Sequence, residues 1–202
     1  MKFDRLILAT NNQHKIREIS QLLADLEIEI FSKADFSNFP DVPETGQTLA
    51  ENALIKSRAI FQKYRIPAVA DDTGLEVGYL NGAPGVMSAR FAGEGCSFAD
   101  NNRKLLAALE GIRGERRRAR FVTVIAVSYA GGDELLEGVA EGLITEENCG
   151  ENGFGYDPIF FYPPANKTFA EMTAEEKNRV SHRGQALTRF REWLLSPLDR
   201  LH

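Results

Sequence analysis

Polar residues at the junction of a predicted strand and a predicted helix form the first segment that could take part in chemistry. The segment consists of Thr10, Asn11, Asn12, Gln13, His14 and Lys15. Free backbone N–H groups at a helix start favour an anion, and Lys15 would add a full positive charge. A turn of this composition more often caps a helix, and the sequence contains no G-x-x-x-x-G-K-[ST] phosphate loop. The segment alone therefore leaves a phosphate site and a helix cap both open.

The second segment is rich in carboxylates. Its members are Glu44, Glu51, Lys56, Asp71 and Asp72. Oxygen ligands suit Mg²⁺, which commonly takes one or two carboxylates together with water and substrate phosphates. The two aspartates are expected at the end of a strand, and if the strand continues, at most one of them enters a given cleft. The same acids would equally serve as caps of turns and helices, and Glu51 fits a capping box.

Two later segments combine features that suit a nucleotide. In the run 152–158, two glycines flank Phe154, so the backbone can approach a ligand closely and the ring can stack on a planar base. A hairpin turn or a compact surface loop would have the same composition. The run from Lys177 to Arg183 places cations suited to phosphate beside His182, at the start of the last predicted helix. A charged helix entrance would look similar.

Histidine and cysteine usage excludes several other chemistries. None of the three histidines belongs to an H-E-x-x-H zinc motif. Ser181 and His182 do not form a nucleophile–base pair, because adjacent helical residues do not face each other. Cys96 and Cys149 are far apart and lack a second thiol at metal-binding spacing. Neither a disulfide framework nor a zinc ribbon is indicated.

The elements that must position these residues follow from hydrophobic periodicity and capping signals. Strands are predicted at Arg5–Thr10, Ile28–Phe31 and Ile66–Ala70, and a hairpin at Phe121–Tyr129 and Glu134–Ile144. Helices are predicted through Ile16–Leu23, from the Thr48–Glu51 capping box to Tyr64, at Phe98–Leu109 and at His182–Leu195. Strands and helices interleave in the first half, and antiparallel strands dominate the middle. We expect an α/β fold with a mixed β-sheet, flanking helices and two lobes around a central cleft.

Length and composition narrow the class of protein. The 202 residues are 43% hydrophobic and show no repeat or linker, so a single domain over residues 1–202 is expected. The net charge of −5 argues against a nucleic-acid binder, and the charged run Glu115–Arg118 is interpreted as a solvated turn. The apolar run near the N-terminus is too short for a signal peptide or a membrane span, which predicts a cytoplasmic protein with no membrane partner.

Seven motifs, taken together, resemble the inosine triphosphate pyrophosphatase family, the dITP/XTP pyrophosphatases that hydrolyse deaminated purine nucleoside triphosphates. In chain order they are LATNNQHK, ETGQTLAENALIKSRA, ADDTGLEV, NGAPGVMSARFAG, GFGYDPIFF, KTFAEM and EEKNRVSHRGQAL. The resemblance spans roughly the whole chain. It implies an elongated α/β fold with a long mixed sheet and a central cleft, and a homodimer.

The resemblance also implies roles for individual residues. Thr10 to Lys15 match the first substrate loop, with Lys15 contacting the triphosphate. Glu44 and Asp72 match the Mg²⁺ positions, and Asp72 is also the expected catalytic base. Further substrate contacts are implied at Lys56, Thr73, Arg90, Phe154, Gly155, Tyr156, Asp157, Lys177, His182 and Arg183. The sequence departs from the pattern at Asn11, where glycine is frequent, and at Thr73, where serine is frequent.

The resulting hypothesis is attack by water on the α-phosphorus of a non-standard purine nucleoside triphosphate, giving a monophosphate and pyrophosphate. Selectivity would come from the 6-position, where hypoxanthine and xanthine carry an oxygen acceptor and adenine an amino donor. Phe154 would stack on the base while Arg183 or a backbone N–H donates to that oxygen. The alternatives are a nucleotide sensor without turnover, a pyrophosphatase for methylated or pyrimidine nucleotides, and a structural or nucleic-acid-binding module.

Overall fold

Apolar segments near the N-terminus and in the middle of the chain form the strands of a mixed sheet. The computed structural model describes residues 2–10 and 12–196. Across these residues the strands are β1 (Arg5–Leu8), β2 (Glu29–Phe31), β3 (Ala68–Val77), β4 (Arg118–Tyr129), β5 (Gly132–Ile144), β6 (Phe160–Tyr162) and β7 (Lys167–Thr168). They form a seven-stranded sheet in the order β2-β1-β3-β4-β5-β6-β7. β1 is parallel to β2 and β3, whereas β6 is antiparallel to β5 and β7. The predicted α/β class with a mixed sheet is confirmed.

The helices begin at the capping signals that the sequence contains. Within the described residues they are α1 (Gln13–Leu22), α2 (Leu49–Tyr64), α3 (Phe98–Ala108), α4 (Ala174–Val180) and α5 (His182–Leu195). Thr48 and Glu51 form the predicted capping box of α2, and Ser97 and Asp100 form the same motif on α3. None of these helices is long and apolar enough to cross a membrane.

The chain divides into two units, each with a hydrophobic core of its own. The first unit contains the described residues up to Asp72, Val124–Glu137, and the described residues from Ala186 onward. The second unit contains Thr73–Thr123 and Gly138–Gln185. Two units match the two lobes expected from the sequence.

Strand β1 in the first unit is buried on both faces. Leu6 and Leu8 pack in one cluster with Phe190 of α5, whereas Ile7 packs in a second cluster with Ile60 of α2. This alternation follows from the two-residue period of a strand. A strand covered on both faces has a continuous apolar sequence, which is the pattern that predicted β1.

Strand β3 corrects the expectation that the strand ends before the acidic pair. The predicted strand stops at Ala70, but β3 continues through residues 71–74 as far as Val77. Ala68 is fully buried in the first unit, and Leu75 and Val77 are fully buried in the core of the second unit. Apolar anchors at both ends therefore keep the intervening polar residues extended.

The type of connection between β4 and β5 follows from its length. Strands β4 and β5 are neighbours in the sheet and only Ala130 and Gly131 separate them, which requires the predicted hairpin, since parallel strands need a longer crossover.

The predicted helix entrance from Lys177 to Arg183 is divided between two helices. Ser181 has extended backbone (φ −72°, ψ 154°), so Lys177 lies on α4 and His182 begins α5.

The charged run Glu115–Arg118 is not a solvated turn throughout, because Arg117 is buried. Its guanidinium group donates to four backbone carbonyl oxygens, at distances of 2.6 to 2.9 Å. The acceptors are Leu109, Ile112, Ile144 and Thr145. The planar, five-donor shape of arginine suits this arrangement. Arg117 thus joins the end of α3 to the end of β5.

Replacing Arg117 by lysine should lower the free energy of unfolding by about 2–3 kcal/mol, because a single ammonium cannot reach all four carbonyl oxygens. The matched control is Arg118→Lys, since Arg118 is exposed and pairs only at the surface with Glu115. That variant should stay within about 0.5 kcal/mol of the parent. Urea unfolding followed by circular dichroism measures both, and equal stabilities would contradict the role assigned to Arg117.

Candidate active site

The ammonium group of Lys56 is the centre of a polar cluster in the first unit. Lys56 extends from α2, and its Nζ donates to Glu44 Oε1 at 2.7 Å, to the Asp71 carbonyl oxygen at 3.0 Å and to Asp72 Oδ1 at 3.4 Å. Its side chain is 15% exposed, so these contacts are largely buried but remain accessible to solvent. Two carboxylates from distant parts of the sequence thus meet at one cation.

The two aspartates of β3 have different partners. Asp71 is buried, and its carboxylate forms an ion pair with Lys15 at 2.8 Å. Asp72 is partly exposed and approaches Lys56 instead. Successive strand residues point to opposite faces, which explains why only Asp72 joins the Glu44 carboxylate at Lys56. Glu51 takes no part, because it accepts hydrogen bonds from Gln47 and Thr48 in the α2 capping box, as expected.

Burial and charge act against each other in this cluster. Burial raises the pKa of Asp72, and the nearby Glu44 raises it further, while Lys56 and Lys15 lower it only in part. For Lys56, burial alone would lower the pKa, but Asp72, Glu44 and Asp71 together raise it above its usual value. Asp72 is therefore a better proton acceptor than an ordinary surface aspartate, and Lys56 stays charged.

The Glu44 and Asp72 carboxylates fit a magnesium ion. Both carboxylates lie within 3.4 Å of the Lys56 ammonium group, which already occupies a position between them. No cluster of three or more histidine, cysteine or acidic side chains suited to a metal occurs in residues 2–10 and 12–196. Mg²⁺ does not need one, because it binds one or two carboxylates and keeps water and substrate phosphates as its other ligands.

The first predicted substrate segment leads from β1 into α1. Asn12 donates its backbone N–H to Thr10 Oγ1 at 3.2 Å, and Asn12 Oδ1 accepts the N–H of Lys15 at 3.4 Å. The predicted helix cap is therefore present, and it coexists with the ion pair of Lys15. Gln13 is the first residue of α1, and only the backbone of His14 is described. The prediction for Asn11 lies outside the described residues.

A second group of predicted residues lies in the second unit. Thr73 follows Asp72 in β3, and its hydroxyl group is 2.8 Å from the hydroxyl group of Thr123 on β4. Arg183 of α5 donates to the same Thr73 oxygen at 3.4 Å. The hydroxyl group at position 73 thus links the start of α5 to two strands. Sequence reasoning did not single out Thr123, since nothing distinguishes it from other polar residues of a strand.

The predicted loop around Phe154 is closed by a buried carboxylate. Asp157 Oδ2 accepts the Phe154 N–H at 2.8 Å and pairs with Lys177 Nζ at 2.5 Å. A side chain at Gly153 would collide with this carboxylate, and Gly153 has φ of +78°, so the position requires glycine. The Lys177 ammonium stands 4.8 Å from the centre of the Phe154 ring, close enough for a cation–π contact.

The remaining predicted residues are held in different ways. Tyr156 is buried and its hydroxyl group donates to the Ser88 carbonyl oxygen at 2.9 Å, and burial raises its pKa. His182 is buried and stacks on Phe121, with ring centres 4.5 Å apart. Arg90 lies at the surface and approaches Glu94 at 3.6 Å. Tyr156 and His182 therefore contribute to the packing of the second unit, whereas Arg90 forms an ion pair with an exposed glutamate.

The sequence matches one family model and is similar to several known proteins. A family model described as the Ham1 family matches residues 6–193. A relative from Thermoanaerobacter pseudethanolicus, named dITP/XTP pyrophosphatase, is 49% identical over 195 residues, which cover 96% of this chain and 98% of the relative. A relative of the same name from Vibrio parahaemolyticus is 48% identical, over 91% of this chain and 92% of its own length.

Solved structures agree with this similarity. A HAM1 protein from Coxiella burnetii superposes with a TM-score of 0.90 at 44% identity and covers 95% of this chain and 98% of its own. A protein from Mycobacterium abscessus, described as nucleoside-triphosphatase / dITP/XTP pyrophosphatase, gives a TM-score of 0.80 at 42% identity. The aligned region covers 96% of this chain and 100% of the Mycobacterium abscessus chain.

Asp72→Asn should stabilise the fold at neutral pH, because the raised pKa of Asp72 means that its charged form is disfavoured in the folded state. The gain should shrink as the pH falls through the pKa of Asp72, where the parent carboxyl group becomes protonated as well. The control is Asp100→Asn, for which the opposite change in stability is expected, since hydrogen bonds from Ser97 lower the pKa of Asp100. That variant should be less stable at neutral pH and equal to the parent in acid.

Thermal unfolding between pH 3 and pH 8 measures both variants. A loss of stability for Asp72→Asn at pH 8 would mean that attraction to Lys56 outweighs the cost of burying the carboxylate.

Proposed function

This chain belongs to the Ham1 family, and on that premise we propose that it is a hydrolase of non-standard purine nucleoside triphosphates. The substrates are dITP, ITP and XTP, and the products are a nucleoside monophosphate and pyrophosphate. The relatives named dITP/XTP pyrophosphatase, which match over nearly the full length, support this substrate class. In the cell, such an activity removes deaminated purines from the nucleotide pool.

The observation that carries the proposal is the meeting of Glu44 and Asp72 at the Lys56 ammonium group. A triphosphate with its metal ion needs negative ligands for the cation and positive groups for the phosphate oxygens in the same place. Lys15, which pairs with Asp71 on the neighbouring residue of β3, adds a second cation. An ordinary surface ion pair is exposed and contains one carboxylate, whereas the Lys56 cluster is partly buried and contains two.

Glu44 and Asp72 would hold the Mg²⁺ ion. When bound, this ion would neutralise phosphate charge and increase the electrophilicity of the phosphorus. Lys56 would then be released from part of its contact with the two carboxylates and would be available to phosphate oxygens. Its hydrogen bond to the Asp71 carbonyl oxygen at 3.0 Å would still hold it at the site.

The reaction is an attack of water on the α-phosphorus. The new bond joins the water oxygen to the α-phosphorus, and the bond between the α-phosphorus and the bridging oxygen to the β-phosphorus breaks. Asp72 accepts the proton of the water, because its carboxylate is the proton acceptor on β3 that shares Lys56 with Glu44. The leaving pyrophosphate carries the bonding electrons away, and Lys15, Lys56 and Lys177 offset its charge.

The second unit would recognise the nucleoside. Phe154 is exposed and would stack on the base, and Arg183 would donate to the oxygen at position 6 of the purine. A site with such a donor rejects adenine, whose amino group at that position would leave the donor unpaired. Thr73 holds Arg183 through its hydroxyl group, so threonine can take the place of the more frequent serine.

The other predicted contacts are proposed with roles that match their burial. Thr10, Asn11, Asn12, Gln13 and His14 would surround the triphosphate at the start of α1. Gly155, Tyr156 and Asp157 would contact the substrate through the backbone, since both larger side chains are buried. His182 and Arg90 would line the site at its margins.

We also propose a cytoplasmic homodimer with no nucleic-acid or membrane partner. The acidic net charge of −5 supports the first of these exclusions. Sedimentation at micromolar concentration tests the dimer, and a stable monomer would contradict it.

The purified protein with Mg²⁺ should release pyrophosphate from ITP, dITP and XTP, and little from ATP or dTTP. Guanine carries the same 6-oxygen as hypoxanthine, so little release from GTP requires that the site also excludes the 2-amino group. Separate assays of pyrophosphate and orthophosphate identify the bond that is cleaved. Orthophosphate as the first product would move the attack to the γ-phosphorus and overturn the mechanism. Binding of ITP without any product would make the protein a nucleotide sensor.

Asp72→Asn should lower kcat for ITP by about 100-fold or more, because it removes the proton acceptor and one metal ligand. Asp71→Asn is the matched control on the neighbouring residue. It removes the partner of Lys15 and should act mainly on KM, by about 10-fold or less, since the positive charge remains. Steady-state kinetics of both variants decides the assignment, which equal and mild losses would refute.

A further inference from the structure

Two exposed phenylalanines contact each other in the second unit. Phe98 is 56% exposed and Phe154 is 47% exposed. All other phenylalanines lie within the described residues and are at least partly buried. The two rings have their centres 6.2 Å apart and are inclined by 43°, although 56 positions separate them in the sequence. The two exposed rings in contact form a local apolar surface.

The position of Phe98 is fixed by its helix. Phe98 is the first residue of α3, and the capping box of Ser97 and Asp100 holds the helix start. One turn further on, Asn102 donates from Nδ2 to the Gly155 carbonyl oxygen at 3.0 Å. That bond connects α3 directly to the loop that carries Phe154. The hydrogen bond of Asn102 therefore keeps the segments that carry the two rings next to each other.

Asn102 supports the same interpretation. The residue is 5% exposed, and its Oδ1 is buried without a hydrogen-bond partner in the part of the chain that is described. An unsatisfied buried acceptor costs about 1–3 kcal/mol. The fold accepts this cost at a residue whose other amide atom positions the Phe154 loop.

The charges around Phe154 indicate which ligand fits. Lys177 stands over the ring at 4.8 Å, and its charge is partly balanced by Asp157 at 2.5 Å. Phe98 contacts the same ring and adds an apolar side chain beside it. A ligand with a planar apolar part and an anionic part, such as a nucleotide, matches this division.

We propose that Phe98 is a specificity-determining residue that gives the second ring of a purine an edge contact beside the ring of Phe154. This inference rests on the proposed function. The inclined rings cannot both stack on one plane, so Phe154 stacks on the base and Phe98 makes an edge contact with its far ring. A pyrimidine, with a single ring, covers Phe154 alone and gains little from Phe98.

Phe98→Leu keeps an apolar side chain of similar reach and removes the ring. It should raise KM for ITP about fivefold and leave kcat unchanged, since stacking acts on the base and not on the phosphorus. Phe98→Tyr should behave as the parent. The matched control is Tyr79→Leu, which removes another exposed ring of the second unit, one that is 44% exposed and lies under the Arg116 guanidinium group.

Titration calorimetry with inosine monophosphate and with pyrophosphate separates a role toward the base from a general structural role. Phe98→Leu should weaken binding of the monophosphate by the same factor of about five and leave pyrophosphate binding unchanged. Equal weakening of both ligands, or an unchanged KM for ITP, would overturn the inference. Because the parent protein is assayed for pyrophosphate release beside the variant, failure of the proposed function would be seen separately.

Discussion

The arrangement of the first unit depends on the hydrogen bonds and ion pairs of the Lys56 ammonium group. It connects the segment before α2, through Glu44, with β3, through the Asp71 carbonyl oxygen and the Asp72 carboxylate. Two partly buried carboxylates repel each other, and burial makes each charge costly. A shared cation offsets part of this repulsion and keeps the two carboxylates close together. The same cation would be available to a triphosphate once a metal ion occupied the carboxylates.

The second unit uses the same principle with a different result. Asp157 is buried, and it is compensated by Lys177 and by the Phe154 N–H. The ion pair closes a loop that has glycine at position 153, where no side chain fits. Because the carboxylate is used inside the loop, Phe154 is left on the surface with a cation over its ring. Charge compensation thus brings two carboxylates and a cation together in the first unit and leaves an aromatic ring exposed in the second.

Several elements were predictable because their signals are local. The α2 capping box, the β4–β5 hairpin and the bounds of α5 depend on residues within a few positions of one another. The continuation of β3 through Asp71 and Asp72 was not predictable in this way. Acidic residues favour a turn by local preference, and only the buried apolar residues on either side of them impose the extended conformation.

The sequence alone determined the fold class, the family and the residue types that could bind a metal and a triphosphate, because periodicity and motifs are written along the chain. The tertiary structure decided which residues meet. Asp71 binds Lys15 while Asp72 joins Glu44, and Arg117 is buried among four carbonyl oxygens inside a run that looks solvated. Phe98 meets Phe154 across 56 positions. Such contacts depend on packing between distant segments, which local pattern does not encode.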